Sequence, residues 1–219
     1  IRAAIKKIAS PEHTVMDAGC AIGKWLPVLS PLFKKVVAVD ISKKNLQIAE
    51  SKHPQLENVE YLRADMSSRI ELPACDVAVC INAILTDSQK KRKAFFANLG
   101  ASVRENGHLV LVVPSLESWL LTRIVQHRWK IDRHLFNDKF SGKQALERWE
   151  NIRQGNVDID EVPTKHYLEE ELALLLSQEG FVIKECSKIE YEWETEFVKP
   201  PEWLKKPGPW DWMALASRV

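Results

Sequence analysis

Val15-Met16-Asp17-Ala18-Gly19-Cys20-Ala21-Ile22-Gly23 decides how this chain is read. An apolar run breaks into a turn punctuated by two glycines, and a helix is expected from about Lys24. Gly19 and Gly23 stand where the chain must turn sharply. Glycine reaches positive φ and presents no Cβ, so backbone N–H groups there can come close to a ligand. The helix start that follows is expected to leave further N–H groups unpaired and facing the same point. Strand, glycine turn and helix in this order make a small-molecule site on an open α/β sheet.

Working outward, Ala4, Ile5 and Ile8 keep helical spacing until Ser10-Pro11 stops them, and Thr14 to Ala18 forms the first strand. Beyond the turn, Trp25 to Leu29 continues the helix, with Pro27 tolerable only in or near its first turn. Lys35 to Val39 is the second strand and ends on Asp40. Ser42 then caps a helix from Lys43 to about Lys52 that His53-Pro54 closes. Val59 to Leu62 alternates as a third strand and leads to Asp65-Met66. Cys75 to Ile81 is a near-continuous apolar run, as a strand covered on both faces requires, and it ends at Asn82. Asp87 through Val103 reads as a helix whose Lys90-Lys91-Arg92-Lys93 run is a solvated face. Glu105-Asn106-Gly107 turns the chain into a fifth strand, His108 to Val113. Strands alternating with helices argue for a doubly wound parallel sheet.

Residues 115–166 break that rhythm: some fifty residues without a strand signal, rich in Trp, His, Lys and Arg, read as an inserted cap or lid. The rhythm resumes with a helix from Leu168 to Gln178, closed by Gly180. A strand from Phe181 to Trp193 follows, and a final strand runs from Trp210 to Ser217. The whole of 1–219 therefore reads as one domain with a decoration.

The 31 basic and 30 acidic residues leave a net charge of +1, which gives no general field for nucleic acid or an anionic membrane. No apolar run reaches the ~18 residues of a membrane span, and nothing resembles a signal peptide. The chain begins at Ile1 without an initiator Met, which points to sequence preceding it. Cys20, Cys75, Cys80 and Cys186 form no CxxC pair, and three fall in apolar runs. They are expected as reduced, buried thiols of a cytoplasmic protein, not as a disulfide framework or a metal site.

With these elements placed, the chain resembles the class I S-adenosylmethionine-dependent methyltransferases over roughly residues 10–114 and 167–218. The resemblance implies an α/β fold with a doubly wound, mostly parallel seven-stranded sheet. Its strand order is 3-2-1-4-5-7-6, the last strand is antiparallel, and here a helical insertion follows strand 5. It also implies the cofactor, S-adenosyl-L-methionine, with S-adenosyl-L-homocysteine as product. By resemblance Asp17, Gly19, Cys20, Ala21 and Gly23 occupy the first motif, against the methionine part of the cofactor. The family often has a glycine where this chain has Ala21, a methyl group that is tolerable if φ there is negative. Asp40, with Ile41 beside it, matches the acidic position that accepts hydrogen bonds from both ribose hydroxyls. Asp65 and Met66 match the position that holds the adenine amino group and ring, and Asn82 lies beside the sulfonium region.

Each residue also has a plainer reading. The glycines can serve a tight turn alone, Asp40 and Asp65 can cap the next helix, and Asn82 can be a turn residue. Cys20 is expected to act through its backbone, and Met66 and Trp25 through packing.

The expected activity is transfer of a methyl group from the cofactor sulfonium to a small-molecule acceptor, chiefly by positioning and exclusion of water. Alternatives are a cofactor-binding regulatory or scaffold protein without turnover, a methyltransferase acting on protein or RNA, and a nucleotide-dependent oxidoreductase. His127, His134, His166, Tyr167 and Tyr191 are the candidates for a general base, none of them assigned as catalytic. His108 lies at the opposite sheet edge and reads as structural. Trp119, Trp129, Trp149, Trp193 and Trp203 could wall an acceptor pocket or glue the insertion to the sheet, and the second reading is preferred.

Overall fold

The strands are apolar on both sides because helices cover both faces of the sheet. In a computed structural model, which describes residues 1–132, 141–159 and 162–219, seven of them form one sheet. They are β1 (Thr14–Ala18), β2 (Lys35–Asp40), β3 (Val59–Arg63), β4 (Cys75–Ile81), β5 (Val103–Pro114), β8 (Phe181–Glu190) and β9 (Trp210–Arg218). The order is β3-β2-β1-β4-β5-β9-β8. All run parallel except β9, which lies antiparallel to both β5 and β8. The remaining strands, β6 (Asn156–Ile159) and β7 (Val162–Lys165), pair only with each other. Counted within the sheet, the order is the expected 3-2-1-4-5-7-6, with the final strand reversed.

The two-residue side-chain period of a strand divides the core. On one face Met16, Ala18, Val37, Val39, Ala78 and Cys80 pack with Phe95, Phe96 and Leu99 of α4 (Gln89–Ser102) and Leu172 and Leu176 of α7 (Glu169–Gln178). On the other, Val15, Val36, Ala38, Val77, Val79 and Val110 meet Ala4 and Ile5 of α1 (Arg2–Ile8), Leu26 and Leu29 of α2 (Leu26–Leu29), and Leu46 and Ala49 of α3 (Lys43–Lys52). Parallel strands end on one edge, so the loops after β1, β2, β3 and β4 converge there.

Two expectations need correction. The helix after the glycine turn does not begin near Lys24. The chain turns through Trp25, α2 has only four residues, and a 3-10 turn at Ser30–Leu32 ends it. Pro27 in its first turn and Pro31 just beyond leave little room for a longer helix. The insertion is not free of strands: α5 (Leu116–Trp129) and α6 (Gly142–Arg153) are followed by the β6–β7 hairpin. Four-residue strands carry too short an alternation to stand out from their surroundings.

The far end of the insertion is stitched to the edge where the loops meet. The Lys165 N–H donates to Leu85 O, and the Tyr167 N–H donates to Pro114 O, both at 2.9 Å. Tyr167 is fully buried, and its hydroxyl donates to Ile84 O at 2.8 Å. Lys165, also buried, places Nζ 2.7 Å from both Glu171 carboxylate oxygens. Tyr167→Phe removes the side-chain donor to the buried Ile84 carbonyl in the loop after β4. It should lower unfolding stability by about 1–2 kcal/mol, read as a shift in the urea midpoint at unchanged slope. An unmoved midpoint would show that the bond does not secure this junction.

Candidate functional site

A cavity of about 350 Å³ opens where the four loops meet, within the size range of small-molecule sites. Gly19 and Ala21 contribute from the loop after β1, Asp40 and Ile41 from the end of β2, and Ala64, Asp65, Met66 and Ser67 from the loop after β3. Asn82, Ala83 and Thr86 follow β4, and Lys91 and Phe95 come from α4. Asp40 and Asp65, expected to share one crevice, both line it. Of the expected site residues, Asp17, Cys20 and Gly23 do not.

Asp40 is 8% exposed. Its Oδ2 accepts the Ala21 N–H at 2.9 Å, and its Oδ1 accepts the Ser42 N–H at 2.8 Å and Asn45 Nδ2 at 3.4 Å. The carboxylate thus ties the glycine turn to the start of α3 while keeping acceptor capacity for a hydroxyl. Asp65 closes its own turn: Oδ1 accepts from the Ser67 N–H and hydroxyl at 2.9 and 2.6 Å, and Oδ2 accepts from the Ser68 hydroxyl at 3.0 Å. Those bonds from Ser67 hold its carboxyl below the usual value. Met66 is buried in the sheet's core. Asn98 of α4 donates to Met66 O and Ser68 O at 2.8 and 2.7 Å and pins this loop from behind.

The glycine turn works differently from expectation. The N–H groups of Gly19 and Cys20 donate to Val39 O at 2.8 and 2.9 Å, and that of Gly23 donates to Cys20 O at 2.9 Å. With the Ala21 N–H on Asp40, these four donors are answered inside the protein: Val39 O takes the first two past the strand ends, and the turn itself and the Asp40 carboxylate take the others. Gly19 has φ +81°, and a Cβ there would lie 2.3 Å from Ala83 Cβ, so this glycine lets two loops of the site touch. Gly23, at φ +80°, faces Leu26, Ala49 and His53 instead of the cavity. Ala21 has φ +46°, the left-handed region, so the negative φ its methyl group called for is absent. Asn82, at φ +50°, occupies the same region, which asparagine tolerates.

Asp17 lies beneath the turn at 2% exposure, and its Oδ2 has no hydrogen-bond partner. Burial, and then the Asp40 charge, push its carboxyl up to about 7. Cys20 is buried, and desolvation with the two nearby carboxylates drives its thiol far above the usual value, so it is no nucleophile.

The basic run is not simply a solvated face. Lys91 lines the cavity, and Arg92 is buried with Nη1 donating to Thr86 O and Asp87 O at 2.9 and 2.7 Å. Lys91, Phe95, Ser67, Thr86, Ala64 and Ala83 went unread from the sequence. Spacing on α4 could have flagged Lys91 and Phe95, one helical turn apart.

None of the proposed bases among the described residues lines the cavity. His127 is exposed, and His134 lies outside the described residues. His166 is buried with Nδ1 3.1 Å from Thr164 O, and desolvation lowers its pKa. Tyr167 and Tyr191 are both raised by burial. His108 bonds Ser217 on β9, as a structural role requires. Nor does any of the five tryptophans line the cavity. Trp193 stacks on Phe197 in a satellite core with Val125 and Ile131, while Trp129 and Trp203 pair at the surface. Among the described residues no His, Cys, Asp and Glu group could hold a metal ion.

The donor set suits a ligand bearing hydroxyls, an amino group and a positive charge. Asp40 and Asp65 only accept hydrogen bonds, Ile41, Met66 and Phe95 offer apolar walls, and Asp17 beneath the turn holds a buried carboxyl whose Oδ2 has no partner.

Residues 15–107 match the family described as a methyltransferase domain. Among the curated proteins none matches the chain. Among solved structures, a SAM-dependent methyltransferase from Methanosarcina mazei aligns with a TM-score of 0.67 at 17% identity, covering 98% of this chain and 96% of that one. The N-methyltransferase NodS from Bradyrhizobium japonicum, in complex with S-adenosyl-L-homocysteine, aligns at 0.63 with 11% identity, covering 99% and 82%. An S-adenosylmethionine-dependent methyltransferase from Mesorhizobium loti aligns at 0.63 with 16% identity, covering 99% and 95%. At these identities the likeness is one of fold.

Two outcomes follow from the turn. Ala21→Gly relieves a left-handed alanine and should raise stability by roughly 0.5–1 kcal/mol; a lower melting temperature would contradict the strain. Asp17 has a folded pKa above its unfolded value, so its proton stabilises the native state below about pH 4, and that contribution is lost as pH rises to about 7. Asp17→Asn should flatten this decline, leaving the variant more stable than wild type at pH 8 in chemical denaturation. Parallel pH profiles for the two proteins would rule it out.

Proposed function

We propose that this chain is a class I S-adenosylmethionine-dependent methyltransferase that methylates a small-molecule acceptor, a reading supported by its fold and by the family match of residues 15–107. What supports this reading most is that Asp40, Asp65 and Asn82, from three separate strand ends, share one cavity. When bound, S-adenosylmethionine supplies an electrophilic methyl carbon. Asp40 would accept from the ribose hydroxyls, Asp65 from the adenine amino group, and Ile41, Met66 and Phe95 would flank the ring. Asp17, beneath the turn, would stabilise the cofactor's positive charge by giving up its proton. These residues orient the methyl donor and exclude water from it, and such positioning supplies much of the acceleration in a displacement of this kind.

The acceptor would enter by Asn82, on the side where residues 115–166 join the loop after β4, and we take that insertion to be the cap. A net charge of +1 favours a small molecule over nucleic acid as partner. No described helix is long and apolar enough to cross a membrane, and all four cysteines are free, which suits the cytoplasm. A second reading, a cofactor-binding regulator without turnover, draws on the finding that none of the described candidate bases lines the cavity. Methyl transfer to any acceptor would dismiss it.

Asp40→Ala should weaken S-adenosyl-L-homocysteine binding by ~1–3 kcal/mol through lost charge-assisted hydrogen bonds, measured by isothermal titration on protein checked for folding. Unchanged affinity would remove Asp40 from the ligand.

A further inference from the structure

Asn82 does more than line the cavity. Its Nδ2 donates to Asp211 Oδ2 at 2.9 Å, across 129 positions of sequence, and Tyr191 donates its hydroxyl to Asp211 Oδ1 at 3.4 Å. Asp211 is the second residue of β9, opposite Pro114 at the end of β5, so its carboxylate stands at the edge of the sheet where the loops converge, one amide away from the cavity wall. It is partly exposed, and among the described residues it pairs with no Lys, Arg or His. Glu196, whose charge reaches Asp211, is answered by Arg123. The neighbouring His166 is buried, with Nδ1 on the Thr164 carbonyl. Two neutral donors thus hold a carboxylate that has about four acceptor positions. The amide that holds it has committed its N–H side, leaving Asn82 Oδ1 as a further acceptor. The ledge beside the cavity is built to take hydrogen-bond donors and positive charge.

We propose that Asp211 selects the methyl acceptor: it receives an N–H of an amine, so that the atom methylated is nitrogen. This assignment rests on the methyl-transfer reading above. The amine, if protonated, first releases a proton to solvent. Its lone pair then forms the N–C bond as the C–S bond breaks, the C–S pair stays on sulfur, and a neutral thioether and a methylated ammonium remain. The positive charge moves from sulfur to nitrogen during the step. A carboxylate hydrogen-bonded to that nitrogen therefore attracts it more strongly in the transition state than in the bound substrate. A carboxylate or phenolate acceptor would instead meet Asp211 with like charge, and be rejected.

The test measures labelled-methyl transfer from S-adenosylmethionine to four sets of small molecules: primary and secondary amines, carboxylic acids, phenols and thiols. S-adenosyl-L-homocysteine binding is titrated in parallel. Wild type should methylate amines. Asp211→Asn should lower kcat/KM for them at least fiftyfold while keeping S-adenosyl-L-homocysteine affinity within twofold, and Asp211→Glu should restore part of the loss. Preference for the acids, phenols or thiols overturns the assignment, as does undiminished amine turnover in Asp211→Asn. Failure to methylate any amine while S-adenosyl-L-homocysteine binds overturns it too, and leaves the cofactor site standing. Failure of wild type to bind S-adenosyl-L-homocysteine removes the underlying function as well.

Discussion

Two carboxyl groups on adjacent strands, Asp17 on β1 and Asp40 on β2, govern the geometry of this site. Both are nearly withdrawn from water. A buried carboxylate is tolerable only with donors around it, and Asp40 takes them from the backbone of Ala21 and Ser42. Asp17 finds none for Oδ2 and meets the Asp40 charge besides, so it keeps its proton until about pH 7. One carboxylate therefore shapes the turn, and the other lies protonated beneath it.

The remaining walls are loops held by backbone bonds. Gly19 touches Ala83 with no room for a Cβ between them, which locks the loop after β1 to the loop after β4. Tyr167 and the Lys165 N–H fasten that second loop to the end of the insertion. Asn98 fastens the loop after β3 to α4. Left-handed residues at Ala21 and Asn82 stand where these constraints meet, and the surrounding bonds hold the alanine in a conformation its methyl group disfavours.

The aromatic wealth of the second half serves adhesion more than recognition. Trp193 and Phe197 form a small core with Val125 and Ile131, and Trp210 and Trp212 pack edge to face on β9. The polar groups stand at strand ends instead, among them Asp211, which arrives on β9 from the far end of the chain.

The sequence by itself determined the sheet and much of the cavity. Thr14–Ala18 and Cys75–Ile81 were legible to the residue and Lys43–Lys52 nearly so, because a doubly covered strand or a capped amphipathic helix writes its period locally. Asp40, Asp65 and Asn82 were legible as polar residues ending such strands. Only the tertiary structure decided that Ala21 is left-handed, that four of the turn's N–H groups are already taken, and that Lys91 and Phe95 line the cavity. It alone set Asp211 against Asn82. Those facts depend on contacts between distant segments, and a local pattern cannot record which partner a loop will meet once the sheet closes.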